Sequence, residues 1–140
     1  MATGTLGRTQ LDALEKILVD LAADPAFRVL LVHHPLRSDS RPKRLTDSRR
    51  LVALIERHGV DLVLHGHDHI HSTMWFEGPG RRIPSIGVPA ASALARGRHP
   101  AAAYNLFSIA RDGNGWRCEQ TVRGLGDGGS IHQLQQVRLS

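Results

Sequence analysis

The sequence predicts an α/β protein of the α+β sandwich type, in which two helices and two parallel strands come first and an antiparallel β tail follows. Three observations carry this. Leu11, Leu14, Leu18 and Leu21 recur at helical spacing with Ile17 alongside. Two short apolar runs, Val29-Leu30-Leu31-Val32 and Leu62-Val63-Leu64, are separated by one further helical pattern, and strand, helix, strand in that order favours parallel neighbours. Beyond His71 the pattern changes to strand-like stretches divided by Gly/Pro-rich turns.

In chain order, Thr9 followed by Asp12 resembles a capping box, with Asp in place of Glu, and predicts an amphipathic helix over residues 9–22 that stops near Asp24-Pro25. The run Val29 to Val32 is continuous rather than alternating, which predicts a strand buried on both faces. It delivers His33-His34-Pro35 to its C-terminal end. A polar, basic loop follows, and Thr46 or Asp47 can cap a second helix that buries Leu51, Leu54 and Ile55 and ends at Gly59. Leu62 to Leu64 is the next buried strand. Thr73 to Phe76, Arg82 to Val88, Tyr104 to Ala110 and Trp116 to Val122 read as further strands, and Asp112-Gly113-Asn114-Gly115 is a hairpin signal. Residues 124–130 are glycine-rich, and Ile131 to Ser140 is polar enough to predict a mobile or loosely docked tail.

The 140 residues are 41% hydrophobic and 22% charged, enough for one globular domain with its own core. The single cysteine, Cys118, excludes an internal disulfide and a Cys-based zinc cluster. No apolar run approaches the roughly 20 residues of a membrane span, and Met1 to Thr5 does not resemble a signal peptide, so a cytoplasmic protein is expected. The net charge of +5 comes from scattered basic residues whose only dense group is Arg41, Lys43, Arg44, Arg49 and Arg50. No aromatic residues interleave with them, which argues against a nucleic-acid stacking platform. They form a solvated basic face or steer a phosphate-bearing substrate.

Function is concentrated in the histidines. Six of the nine fall in His33-His34 or in His65-Gly66-His67-Asp68-His69-Ile70-His71, each group directly behind an apolar strand. Imidazole is the commonest transition-metal ligand, and ligands gather at the C-terminal ends of parallel strands. One isolated histidine is ordinarily a hydrogen-bonded part of a core; six in two groups point to a metal. If the heptapeptide were extended, His65, His67, His69 and His71 would share one face with Asp68 on the other.

These residues resemble the calcineurin-like metallophosphoesterases. That family carries His-x-Pro behind one strand and Gly-His-x-His behind the next, with a loop and one helix between; here these are His33-His34-Pro35 and Gly66-His67-Asp68-His69. The likeness runs from about Leu6 to Gly124. It implies the C-terminal half of the four-layer metallophosphoesterase fold, over residues 1–124, with 125–140 as a polar tail. It further implies that His33 and His67 bind one metal and His69 another, that His34 is a catalytic residue on the substrate side, and that the reaction is metal-dependent hydrolysis of a phosphomonoester or phosphodiester. The family's cofactors are two divalent ions, Mn, Fe or Zn, that clamp the phosphoryl oxygens and supply a hydroxide.

The sequence departs from the family upstream of His33. The Asp-x-His, Gly-Asp and Gly-Asn-His elements expected there, which include the carboxylate bridging the two ions, have no counterpart among Asp12, Glu15, Asp20 and Asp24. The chain therefore reads as a C-terminal fragment, holding at most one ion weakly, inactive alone, and prone to self-association through an exposed sheet edge. The other readings are a non-catalytic metal-binding remnant or one half of a split enzyme. A metallo-β-lactamase-like hydrolase fits less well, because in His65-Gly66-His67-Asp68-His69 the Asp arrives one residue too early for His-x-His-x-Asp-His. Specificity is expected to lie in loops 36–45 and 89–100.

Overall fold

A computed structural model describes residues 3–38, 44–96 and 99–140. Arg41 and Lys43, with parts of both predicted substrate loops, lie outside the described residues. The chain divides into two compact units, residues 1–68 with 72–87, and residues 69–71 with 88–140. Among the described residues no helix is long and apolar enough to cross a membrane.

The first unit contains α1 (Gly7–Asp20), β1 (Val29–Val32), α2 (Ser48–His58), β2 (Leu62–His65), β3 (Ser72–Glu77) and β4 (Arg82–Gly87). Its sheet has the order β1-β2-β4-β3. β1 and β2 are parallel neighbours, with Val32 opposite His65, as strand-helix-strand order predicts. β4 then joins β2 in parallel, and β3 returns antiparallel beside β4, so this pair extends the first sheet rather than starting the β tail. Leu11 and Leu18 of α1 and Leu51, Leu54 and Ile55 of α2 pack with Val63, Phe76 and Ile83 on one face of the sheet. That face is the core, and it uses Leu11, Leu18, Leu51, Leu54 and Ile55 as the apolar spacing predicts, whereas Ile17, placed alongside them, is exposed.

Two expectations fail locally. β1 is not buried on both faces: Leu30 and Val32 turn to the core, whereas Val29 is 42% and Leu31 73% exposed. The reason is position, since among the described residues β1 is the last strand of the sheet and pairs only with β2. The capping chemistry also differs. α1 begins two residues before Thr9 and has no side-chain cap from its own turn. Its cap comes instead from Asp47, whose carboxylate accepts the backbone N–H of Gly7 at 2.8 Å and of Leu6 at 3.1 Å. Asp47 does occupy the N-cap position of α2, but makes no side-chain cap there. Gly59 ends α2 as expected, with φ 76 and its N–H on the Ile55 carbonyl.

Burial alone would raise the Asp47 carboxyl pKa, but the N–H donors of Gly7 and Leu6 outweigh it and hold the pKa below the usual value. A carboxyl pKa lower in the folded than in the unfolded chain adds stability that is present above the unfolded value, about 3.9, and is lost as pH falls through the folded one. Asp47→Ala should therefore cost about 1–2 kcal/mol at neutral pH, measured by urea unfolding, and this difference should shrink below pH 4. A variant as stable as the parent at pH 7 would remove Asp47 as the cap.

The second unit is built on a three-stranded antiparallel sheet of β5 (Ala103–Asp112), β6 (Gly115–Leu125) and β7 (Ile131–Arg138). The predicted hairpin forms with Asp112 opposite Gly115 and a positive φ at Gly113. Cys118 is a buried thiol on β6. The segment expected to be a loose tail forms β7, paired with β6 from Leu125↔Ile131 to Glu119↔Arg138. Its polar residues are those of an outer strand with little burial, which composition alone does not distinguish from a tail.

Candidate metal centre

His33 directly follows β1, and His67 follows β2 after one glycine. Parallel pairing places the two strand ends side by side, and the Gly66 N–H donates to the His33 carbonyl at 3.1 Å, locking the two loops together. A Cβ at Gly66 would come no closer than 4.0 Å to that oxygen, so glycine here leaves room without being demanded by a clash. His67 Nδ1 then lies 3.1 Å from His33 Nε2. The His34 ring stands 4.2 Å from the His67 ring, centroid to centroid, and 4.9 Å from that of His33. The three residues offer ligand nitrogens that all lie within 4.8 Å of one another.

The segment from His65 to His71 is not a continuous extended strand. His67 and His69 both have positive φ, 69 and 55, and the chain bends around Asp68. The alternating arrangement expected for the histidines therefore ends at His65. Positive φ is uncommon outside glycine, though histidine tolerates it better than most residues. Such conformations cost about 1–3 kcal/mol and concentrate where a side chain must be aimed.

His65 itself is only 5% exposed, and its Nδ1–H donates to the Gly66 carbonyl at 3.3 Å. Burial pushes its imidazole pKa down, so it stays neutral. Gly87, its partner on β4, lies so close that a Cβ there would sit 2.7 Å from the His65 ring. His69 is exposed and is counted with the second unit, as is His71. His33, His34 and His67 are thus brought together, and Gly4 is the neighbour that sequence reasoning missed. Its backbone bridges to Leu45, and a Cβ at Gly4 would be 2.7 Å from His34 Nδ1. The Gly-rich start Thr3-Gly4-Thr5 carries no pattern that predicts contact with a residue thirty positions away.

The donor set fits one cation. Two nitrogens each about 2.0–2.1 Å from a tetrahedral zinc are about 3.3 Å apart, close to the 3.1 Å between His33 and His67. A small ring shift brings the third nitrogen in. The set does not fit two cations, because among the described residues no Asp or Glu joins the three histidines, and two ions a few Å apart repel strongly without a bridging carboxylate.

Histidines converging from the ends of adjacent parallel strands form a group that could hold a metal ion, at the strand termini where ligands gather in open α/β sheets. Residues 3–71 match the model of the calcineurin-like phosphoesterase family. A single mutant of Vps29 from Entamoeba histolytica is a similar solved structure, with 20% identity and a TM-score of 0.38. The likeness covers 58% of this chain and 41% of that one. No curated protein matches the sequence.

Proposed function

We propose that this chain supplies the histidine side of a phosphoesterase metal site and hydrolyses little by itself. The observation that carries the reading is the 3.1 Å approach of His33 and His67 at two neighbouring strand ends, with His34 beside them. In this reading His33 and His67 hold a divalent cation, Mn, Fe or Zn. His34 turns toward the substrate and donates an N–H to a phosphoryl oxygen, while His69 serves a second ion in a site completed by carboxylates. A bound cation supplies Lewis acidity and a water that loses its proton near neutral pH. The substrate is a phosphomonoester or phosphodiester.

The lack of a carboxylate in the described histidine group favours a second reading, a non-catalytic cation-binding protein or one half of a split enzyme completed by another polypeptide. Titration with Mn²⁺ or Zn²⁺ separates the possibilities. One equivalent bound, with hydrolysis of a chromogenic phosphodiester near background, is the expected result. Rapid turnover by the chain alone would refute the one-cation site, and no binding would refute both readings. Cytoplasmic residence belongs to the same proposal. So does self-association of two copies along β1, supported by its open edge and by exposed Leu31. Light scattering that finds only monomers at high concentration would remove that part.

A further inference from the structure

Between the loop that follows β1 and the first turns of α2 lies a groove of about 520 Å³. Arg37, Arg44 and Arg49 line it together with Ser38 and Ser48, over apolar Leu36 and Val52. Among the described residues that line it none is acidic. Among the described residues none of the three guanidiniums makes an ion pair. Asp47, the acid next to Ser48, has its carboxylate committed to the N-terminus of α1. Arg37 is held over the Phe76 ring, 4.7 Å from guanidinium carbon to centroid. Stacking of this kind orients a guanidinium while leaving its in-plane N–H donors available for an anion.

Three neighbouring guanidiniums to which no described carboxylate is paired make a locally positive groove, and planar forked donors match phosphate oxygens. We propose that this groove is an anion site for a phosphate-bearing small molecule, and that the preferred group is a diphosphate rather than a single phosphate. Three cations facing one phosphate dianion leave an excess of positive charge, whereas a diphosphate offsets all three. No aromatic ring among the lining residues offers a stacking surface for a base, so the groove reads phosphate and not nucleobase.

The site stands on its own residues. Its further role rests on the phosphoesterase reading: Leu36 lies two residues beyond His34, within about 7 Å along the chain. A diphosphate ester anchored in the groove would therefore present its reacting bond near the histidines.

The test is calorimetric titration of the full chain with inorganic pyrophosphate, in EDTA and at fixed ionic strength. Arg44 and Arg49 are exposed, so R44Q and R49Q should fold, which circular dichroism checks. Each should weaken pyrophosphate binding roughly tenfold, as the loss of one charge-assisted contact does, and the double variant more. H67A should bind pyrophosphate as the parent does, which separates this site from the metal centre. Unchanged binding by the R44Q/R49Q double variant would overturn the site, as would loss of binding in H67A. Inorganic phosphate binding as tightly as pyrophosphate would overturn the diphosphate assignment. A single-stranded oligonucleotide that outcompetes pyrophosphate would overturn it in favour of a nucleic-acid surface.

Discussion

Replacing His67 should abolish cation binding and, at the same time, invert the usual stability order of alanine and glycine. His67 provides one of the two nitrogens that lie 3.1 Å apart, so neither His67→Ala nor His67→Gly can bind Mn²⁺ or Zn²⁺ as the parent does. A loss of at least a hundredfold is expected, since of the two proposed ligands only His33 remains. Its backbone, however, sits at φ 69. Alanine keeps the steric cost of that conformation, about 1–2 kcal/mol, whereas glycine does not. Glycine gives back part of this in greater unfolded-state entropy, so His67→Gly should be the more stable variant by about 1 kcal/mol in metal-free urea unfolding. At an ordinary position alanine would be the more stable. Parent-like metal affinity in either variant would refute the ligand assignment, and alanine more stable than glycine would refute the backbone argument.

Asp61→Ala should destabilise the first unit by about 3 kcal/mol. Asp61 is 9% exposed and stands just before β2. Its carboxylate accepts the Arg28 backbone N–H and pairs with the Arg81 guanidinium, and its own N–H donates to the Arg28 carbonyl at 2.8 Å. Arg28 leads into β1 and Arg81 into β4, so one side chain ties together the starts of three neighbouring strands. Removing it strands a cation and a backbone donor, and breaking a buried pair from one side costs about 3–5 kcal/mol; partial exposure of Arg81 places the estimate at the lower end. Asp61→Asn keeps an acceptor for Arg28 and should lose about half as much. Measured by chemical unfolding, a change below about 0.5 kcal/mol for the alanine variant would show that the carboxylate is not the tie between strands.

These two residues differ in how far the sequence exposed them. His67 stood out because Gly66-His67-Asp68-His69 follows an apolar strand, and the His33-His34 pair stood out in the same way. Asp61 was visible only as the residue before a buried run, with nothing local to say that Arg28 and Arg81 would meet it. The cap of α1 is equally invisible to local spacing. Thr9 and Asp12 have the right spacing for a local cap, but Asp47, about forty positions away, takes the role. For β1 the continuous apolar run predicts burial on both faces, whereas sheet order makes it an edge. For β7 a polar composition concealed a strand.

The sequence by itself determined the order of helices and strands as far as β6, most of the core faces of α1 and α2, the parallel pairing of β1 with β2, and the location of histidines behind both strands. Those features follow from periodic burial within single segments, and periodicity is written locally. The tertiary structure decided which histidines meet, the positive φ that aims His67, the close approach of Gly4 to His34, the cap supplied by Asp47 and the basic groove beside α2. Each of these depends on groups far apart in sequence or on backbone turned out of its regular path, and neither leaves a periodic trace along the chain.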